Sequence, residues 1–274
     1  LLLAVLAGAA RAQDKPPVNA GPYVPSPTSV VSDMLTLAQV GPGDFVIDLG
    51  SGDGRIVLTA AKVFGARGFG VDIDAALVRK ANEAAKDQGL AERVKFVTQD
   101  LFKTDISQAT VVTMYLLPHT VNMLKDKLLA ELRPGTRIIS HDYGLADWKE
   151  ERSLHMDLED KVPISGVTTT LIWLYRVPAR VAGAWSLQLP AGLSRAPVRM
   201  ELQAFRTTLL KGKARIGGRD VALDNGSLQG ERIRFALELN GRSYAFAGTV
   251  KGAAMEGTLE GGGLKAAWSA AAAK

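Results

Sequence analysis

Three aspartates come at or just after the ends of three short apolar stretches, each of which is typical of a buried strand. The stretches and their aspartates are 45–47 with Asp48, 68–71 with Asp72, and 94–97 with Asp100. In a doubly wound sheet of parallel strands, a ligand binds beyond the carboxyl ends of the strands. We therefore expect the three carboxylates to share one nucleoside pocket, with Asp72 accepting both ribose hydroxyls and Asp100 meeting the adenine amino group.

A glycine-rich turn follows the first of these strands. Gly50, Gly52 and Gly54 alternate with Ser51 and Asp53, which gives D-x-G-x-G-x-G instead of the G-x-G-x-x-G of dinucleotide sites. Glycine allows the backbone to take positive φ and to approach a ligand closely. Because an aspartate inside the turn is expected to repel a phosphate, the pattern favours a cationic ligand without phosphate, such as S-adenosylmethionine.

These motifs resemble those of class I S-adenosylmethionine-dependent methyltransferases. VIDLGSGDGR at 46–55 is similar to the first motif of that family, GVDID at 70–74 to the second and QDLF at 99–102 to the third. PYVPSP at 22–27 further resembles the mitochondrial protein-lysine methyltransferases that act on the ATP synthase c subunit and the adenine nucleotide translocase. The cofactor-binding residues that the motifs imply are Tyr23, Asp48, Gly50, Ser51, Gly52, Gly54, Asp72, Ile73, Asp100 and Leu101.

The methyl acceptor is expected at the ends of the fourth and fifth strands. Enzymes of this class that methylate amide or ring nitrogens often carry Asn/Asp-Pro-Pro-aromatic after the fourth strand, whereas this chain has MYLLPH at 114–119. The difference argues against adenine or glutamine and favours an amine, for which the resemblance implies a protein lysine. Tyr115 is a candidate to orient the amine, and His141 is a candidate base or orienting group. His141 and Asp142 are strand neighbours, so their side chains need not interact.

Strands alternate with helices over the first part of the chain, which predicts a Rossmann-like, doubly wound sheet of the α/β class. The predicted helices include 28–38, with Thr28 or Ser29 as the expected N-cap, and 121–132. The resemblance implies seven strands, the last two being an antiparallel pair. From residue 183 the apolar period changes to two, and Asn225-Gly226 and Asn240-Gly241 indicate hairpins. We therefore predict a methyltransferase domain over 28–178, followed by a small, barrel-like antiparallel β domain over 183–274 that makes no cofactor contact.

The composition is that of an ordinary globular protein, with 274 residues, 47% of them apolar and 22% charged. The net charge of +5 is uneven, since residues 180–274 carry 14 Lys and Arg against 7 Asp and Glu. Such an excess favours an anionic surface, but the charges are scattered and are more typical of solvated strand faces. No nucleic-acid partner is expected, and no metal is expected because spacings such as H-E-x-x-H are absent.

The first residues resemble a secretory signal peptide. LLLAVLAGA at 1–9 is an apolar core too short to span a bilayer, and A-R-A at 10–12 is similar to a cleavage site. We expect a signal peptide over 1–12, a proline-rich extended linker over 13–27, and no stable membrane span in the mature chain. This predicts an exported or periplasmic protein, or a cytoplasmic one if the start is misassigned. The chain has no cysteine, which excludes a disulfide framework.

Two other functions stay open at this level. An exported protein does not ordinarily meet S-adenosylmethionine, so one alternative is a non-catalytic protein that binds a nucleoside or a partner on a methyltransferase fold. The other is a methyltransferase of small molecules. The complete set of three strand-end carboxylates argues against the first alternative, because a binding module has less reason to keep all three around one pocket.

Overall fold

The computed structural model describes residues 21–194 and 197–273, which form an α/β domain followed by a β-barrel. The predicted signal peptide over 1–12 and the first part of the predicted linker, 13–20, lie outside the described residues. Among the residues described, there is no helix with the length and apolar character needed to cross a bilayer.

The α/β domain is built around a mixed sheet. Its strands are β1 (Phe45–Leu49), β2 (Arg67–Asp72), β3 (Val94–Thr98), β4 (Val111–Met114), β5 (Arg137–His141), β6 (Arg152–Asp157) and β7 (Thr169–Arg176). Its helices are α1 (Thr28–Leu37), α2 (Arg55–Phe64), α3 (Ala75–Asp87), α4 (Pro118–Met123), α5 (Lys125–Glu131) and α6 (Val162–Ser165). The strand order is β3-β2-β1-β4-β5-β7-β6, and β7 is antiparallel to both its neighbours. The predicted doubly wound, seven-stranded sheet is confirmed.

Helices cover both faces of this sheet, so the central strands are apolar on both sides. In β1, Val46 packs in a cluster with α1, whereas Ile47 packs in a second cluster with β4 and α5. The carboxyl ends of β1, β2, β3 and β4 consequently meet at one edge. Asp48 lies opposite Thr113 of β4 at that edge, and Asp72 ends the neighbouring strand.

Two details of the predicted helices are wrong. Thr28 or Ser29 was expected to cap α1, but Pro27 is the N-cap residue and makes no side-chain cap hydrogen bond. The helix expected over 121–132 is divided at Leu124 into α4 and α5, and it begins earlier because Pro118 occupies the first turn, where a missing N–H is tolerated.

The second domain is a closed antiparallel barrel. Its strands are β8 (Gly183–Gln188), β9 (Val198–Arg206), β10 (Leu209–Ile216), β11 (Arg219–Ala222), β12 (Asp224–Gln229), β13 (Arg232–Leu239), β14 (Arg242–Lys251), β15 (Ala254–Gly261) and β16 (Leu264–Ala272). Eight of them close the barrel in the order β10-β12-β13-β14-β15-β16-β8-β9, because β9 pairs with β10, and β11 extends from the edge of β10. The predicted barrel-like architecture is confirmed.

Aromatic rings fill the centre of the barrel. Phe235 and Phe246 are stacked with their centroids 4.6 Å apart, and Trp268 meets both rings edge-on at 5.5 and 5.7 Å. The indole Nε1 of Trp268 donates to the carbonyl oxygens of Ala247 and Thr258, at 3.3 and 3.1 Å. The indole N–H of this buried aromatic group is therefore hydrogen-bonded.

Only one of the two predicted Asn-Gly hairpins is correct. Asn240 and Gly241 have φ of 51° and 73° and connect β13 to β14, as a type I′ turn requires. Asn225 also has positive φ, but it lies inside β12 at an irregularity in the pairing with β13. Gly226 there faces the carbonyl of Leu210, which a Cβ would approach to 2.4 Å, so this glycine permits a bulge instead of a turn.

The two domains are joined by a small polar contact. Glu151 accepts hydrogen bonds from Arg176 Nε of β7 at 2.6 Å and from Arg232 Nη2 of β13 at 3.2 Å. The backbone N–H of Ala179 donates to the carbonyl of Gly230 at 2.8 Å. The barrel therefore rests against the far end of β7, away from the carboxyl ends of β1 to β4.

Candidate active site

A cavity of about 450 Å³ opens beyond the carboxyl ends of β1 to β4. The predicted site residues that line it are Tyr23, Asp48, Gly50, Ser51, Gly52, Asp72, Ile73, Asp100, Leu101 and Tyr115. Gly54 and His141, which were also predicted, are outside the lining. All of the lining residues come from 21–116, so among the described residues the barrel contributes nothing to this cavity.

The three glycines of the turn leave room for different neighbouring side chains. Gly50 and Gly52 have φ of 81° and 53°, and a Cβ on them would come within 2.7 Å of the Leu116 side chain and 2.5 Å of the Tyr23 ring. These two glycines therefore keep the wall of the cavity close to the backbone. Gly54 instead precedes α2 and would meet the ring of Phe96 at 2.6 Å. Gly54 thus allows helix and sheet to pack, which explains its position outside the lining.

Asp72 is held at the cavity edge by the backbone. Its Oδ2 accepts from the Gly52 N–H at 2.8 Å, and its Oδ1 accepts from the Asp74 N–H at 2.9 Å. Asp74 in turn caps α3 by accepting from the N–H of Ala76 at 2.7 Å. Each carboxylate oxygen has two lone pairs, so this clamp orients Asp72 and still leaves acceptor capacity toward the cavity. Asp100 is oriented in a similar way by the N–H of Phe102, which donates to its Oδ1 at 2.8 Å.

Asp48 lies deeper than the other two strand-end aspartates. It is 2% exposed, and its Oδ1 accepts from Thr113 Oγ1 at 2.6 Å. Burial raises the pKa of Asp48 to about 7, although the Thr113 hydrogen bond opposes the shift. The side chain is therefore partly protonated near neutral pH, whereas the sequence argument treated it as a full negative charge.

Asp53 is not the isolated negative charge that the expected repulsion of a phosphate assumed. Its carboxylate accepts hydrogen bonds from Arg55 Nε at 2.9 Å and from Arg55 Nη2 at 2.7 Å. The positive charge of Arg55 therefore compensates the negative charge of Asp53. Burial opposes ionisation of Asp53, but the Arg55 hydrogen bonds and charge bring its pKa below the ordinary value. Besides Asp48 and Asp53, the aspartates that line the cavity are Asp72, Asp74 and Asp100, and these give it its acidic character.

Arg55 also fastens the segment that covers the cavity. Its Nη1 donates to the carbonyl of Ser26 at 2.7 Å, and the hydroxyl of Ser26 lies 2.8 Å from His141 Nδ1. The ring of Tyr23 lies over Gly52. Sequence reasoning identified Tyr23 but missed Ser26 and Arg55. The position of Arg55 directly after the glycine turn was the one available signal, because a cation there can pair with the aspartate of the turn.

Tyr115 lines the cavity directly after the end of β4. Its hydroxyl donates to Asp142 Oδ2 at 3.0 Å, and burial together with the Asp142 charge raises its pKa well above the ordinary value. Asp142 also accepts from Lys161 Nζ, at 2.7 Å to Oδ1 and 2.8 Å to Oδ2. Lys161 is 2% exposed. No sequence pattern pointed to Lys161, which reaches Asp142 only because β6 and β7 fold back beside β5.

His141 lies behind Tyr115 and is fully buried, with the two ring centroids 3.9 Å apart. Burial lowers its pKa to about 4. This placement argues against the expected role as a base, because the imidazole does not line the cavity. Asp142 has φ of 62° and leaves the strand geometry, which brings its Oδ1 to 3.5 Å from His141 Nε2. The two side chains therefore do approach each other, unlike neighbours in a regular strand.

Metal chemistry has no support from the geometry. Over 21–194 and 197–273, no three His, Cys, Asp or Glu side chains are grouped so that they could hold a metal ion.

Comparison with known proteins identifies related methyltransferases. The family model of the ANTKMT methyltransferase domain matches residues 48–152. A protein-lysine N-methyltransferase of Saccharolobus islandicus strain REY15A is 44% identical over 137 residues, which cover 50% of this chain and 85% of the relative. The adenine nucleotide translocase lysine N-methyltransferase of Mus musculus is 33% identical over 156 residues, 57% of this chain and 63% of the mouse enzyme. The chain thus spans slightly less than two thirds of the mouse enzyme.

A solved structure supports the same relationship. The crystal structure of an RNA methyltransferase from Salinibacter ruber in complex with S-adenosyl-L-homocysteine is similar with a TM-score of 0.52 and 45% identity. The similarity covers 58% of this chain and 96% of that protein. The resemblance inferred from the motifs is confirmed, and the chain belongs to the family of S-adenosylmethionine-dependent methyltransferases that includes these protein-lysine N-methyltransferases.

Proposed function

We propose that this methyltransferase transfers the methyl group of S-adenosylmethionine to the side-chain amine of a protein lysine. The observation that carries the proposal is the lining of one cavity, to which the glycine turn, Asp72, Asp100 and Tyr115 all contribute. The lysine substrates named for relatives in Saccharolobus islandicus and Mus musculus support the choice of acceptor.

The residues present fit the cofactor. Gly50 and Gly52 leave backbone exposed where a Cβ would collide with Leu116 and Tyr23, so a ligand can approach the turn closely. In this proposal Asp72 would accept from the two ribose hydroxyls, and Asp100 would accept from the adenine amino group. When bound, S-adenosylmethionine supplies an electrophilic methyl group, and transfer to nitrogen breaks the carbon–sulfur bond and leaves S-adenosylhomocysteine. The chain contributes position and exclusion of water.

Tyr115 accounts for recognition of an amine. Its hydroxyl hydrogen is donated to Asp142, so its oxygen is an acceptor for a group in the cavity that carries N–H. A lysine ammonium has a pKa near 10.4 and must lose a proton before its lone pair can attack carbon. With His141 outside the cavity lining, we assign no dedicated base, and the proton leaves to solvent before transfer. Initial rates are therefore expected to rise between roughly pH 7 and 9 as the neutral amine becomes more abundant.

A second candidate acceptor is RNA, and one surface of the barrel favours it. Strands β9 and β10 expose Arg199, Lys211 and Arg215 on one face, and Lys211 Nζ is 3.5 Å from the ring centroid of the exposed Phe205. Cations beside an exposed aromatic ring are typical of single-stranded nucleic-acid sites. Two carboxylates of the same face pair with the arginines, however, so the surface is not uniformly basic. We therefore favour the protein acceptor.

Transfer of tritiated methyl groups into extracts of the source cell distinguishes these acceptors. Protein is hydrolysed in acid and separated into amino acids, and RNA is digested to nucleosides. We expect label in methyl-lysine with the wild-type chain and at least a tenfold lower rate with Tyr115→Phe. Label in a methylated nucleoside, a carboxyl ester or a small metabolite, with none in methyl-lysine, would replace the lysine proposal by the corresponding acceptor.

A further inference from the structure

A buried charged cluster lies directly behind Tyr115, on the side away from the cavity. Lys161 is 2% exposed and donates to both carboxylate oxygens of Asp142 and to the carbonyl of Thr169. A buried charge is unfavourable unless it is paired and hydrogen-bonded, and here the ammonium and the carboxylate compensate each other. The cluster is thus a preformed ion pair whose carboxylate also accepts a hydrogen bond from the Tyr115 hydroxyl.

The carboxylate of this pair is held in one position by β7. The backbone N–H of Asp142 donates to Leu171 O at 2.7 Å, and its Oδ1 accepts from the Leu171 N–H at 3.2 Å. Its carbonyl accepts from Trp173 Nε1 at 3.2 Å. Asp142 takes the left-handed conformation, with φ of 62°, which is unfavourable for a residue other than glycine and persists only where surrounding contacts enforce it.

We propose that Asp142 and Lys161 are positioning residues that hold the Tyr115 hydroxyl with its hydrogen directed away from the cavity. This inference rests on the proposed role of Tyr115 in binding the acceptor amine. Asp142 accepts the only hydrogen that the hydroxyl can donate, and Lys161 keeps the carboxylate in place. The lone pairs of the Tyr115 oxygen are then available to an N–H donor, whereas an acceptor group without hydrogen, such as a carboxylate, finds no donor there.

Two substitutions in the ion pair test how it orients the Tyr115 hydroxyl. Asp142→Asn keeps the volume of the side chain but can present an NH₂ group to Tyr115, so the hydroxyl is free to turn its hydrogen toward the cavity. Lys161→Met removes the ammonium and leaves the carboxylate buried without that partner. Both changes act on amine recognition only through Tyr115, so neither is expected to add to the effect of Tyr115→Phe.

Sinefungin provides a probe that does not depend on turnover or on the identity of the acceptor. It is an analogue of S-adenosylmethionine with an amine in place of the sulfonium methyl group, so its amine presents N–H groups where the acceptor approaches. Calorimetry with sinefungin and S-adenosylhomocysteine measures how strongly each variant prefers the amine. Tyr143→Phe, which changes an exposed tyrosine next to Asp142, is the matched control, and thermal melting checks that each variant is folded.

We expect Tyr115→Phe and Asp142→Asn each to reduce the preference for sinefungin at least fivefold, with affinity for S-adenosylhomocysteine within twofold of wild type. The double variant should lose no more than either single variant, and Tyr143→Phe should lose nothing. The positioning role would be overturned if the losses of preference in the two single variants multiplied in the double variant, or if Asp142→Asn left the preference unchanged. If Lys161→Met does not fold, the double-mutant cycle of Tyr115→Phe with Asp142→Asn still tests the positioning role. Absence of methyl-lysine label, with the cycle as expected, would refute only the lysine acceptor.

Discussion

The α/β domain and the barrel differ in how many polar side chains they bury. Among the described residues, the buried polar and charged side chains of the α/β domain include Asp48, His141 and Lys161, whereas Thr208 is the one such residue in the barrel. The barrel core is instead made of aliphatic and aromatic side chains around Trp268. Burying an ionisable group without a partner is energetically unfavourable. Buried ionisable groups are therefore expected mainly where a functional site requires them.

Backbone geometry shows the same contrast. Asp142 has positive φ and accepts a hydrogen bond from the hydroxyl of Tyr115, which lines the cavity. In the barrel, Asn240 has positive φ in a tight hairpin turn, where that conformation is the ordinary one. The comparison teaches that buried ionisable side chains belong to the α/β domain, while the barrel has an aliphatic and aromatic core. We therefore assign chemistry to the first domain and expect changes in the second to act on stability.

The largest effect is expected from Trp268→Ala in the barrel. Removing a buried indole from an aromatic core destabilises by about 3–5 kcal/mol, because the apolar contacts are lost and a cavity remains. Affinity for S-adenosylhomocysteine should stay within twofold of wild type in the folded protein. Urea unfolding and calorimetry measure the two quantities.

The matched control for this change is Leu264→Ala, an exposed position on the same strand. It should alter stability by less than about 0.5 kcal/mol. A tenfold loss of cofactor affinity in Trp268→Ala, measured while the α/β domain remains folded, would break the division of roles between the two domains.

A smaller effect, on binding instead of folding, is expected from Asp72→Ala. Two hydrogen bonds from ribose to a charged carboxylate would be lost, which should weaken S-adenosylhomocysteine binding by about 3 kcal/mol, a little more than a hundredfold. Titration calorimetry measures the affinity. Asp220→Ala, at an exposed aspartate of the barrel, is the control and should bind as wild type. Equal affinity in Asp72→Ala and wild type would show that the ribose lies elsewhere.

The smallest of the three effects is a pH dependence that only the α/β domain should show. Because the pKa of Asp48 is raised to about 7, the folded chain keeps a proton that the unfolded chain releases above about pH 4. The resulting stabilisation is complete below pH 4 and is lost as the pH rises toward 7. The free energy of unfolding of wild type should therefore fall by about 2 kcal/mol relative to that of Asp48→Asn between pH 5 and 7.

Urea unfolding at several pH values tests this expectation. His141, with its pKa lowered to about 4, contributes the opposite slope below about pH 6.5, but it is present in both proteins and cancels in the difference. Asp220→Asn in the barrel should run parallel to wild type. Parallel curves for wild type and Asp48→Asn would mean that Asp48 is ionised throughout this range.

Much of the cofactor side of the cavity could be predicted from local sequence. Gly50 and Gly52 permit the positive φ that a tight turn needs, and Asp72 and Asp100 follow apolar strands whose carboxyl ends must meet in a parallel sheet. Each of these inferences needs only neighbouring residues and one rule of topology. Asp53 was misjudged for a related reason, since its charge depends on a side-chain contact with Arg55 that spacing alone does not specify.

The sequence by itself determined the order of strands and helices, the glycine turn, the ends at which the carboxylates lie, and the change to a two-residue period after 183. Tertiary structure decided which distant side chains meet. Lys161 reaches Asp142 because β7 returns antiparallel beside β5, and Ser26 reaches His141 across 115 positions of sequence. Closure of the barrel likewise required β8 to pair with β16, the first and last strands of that domain. Periodicity records which face of an element is buried, but contacts between elements depend on how the whole chain packs.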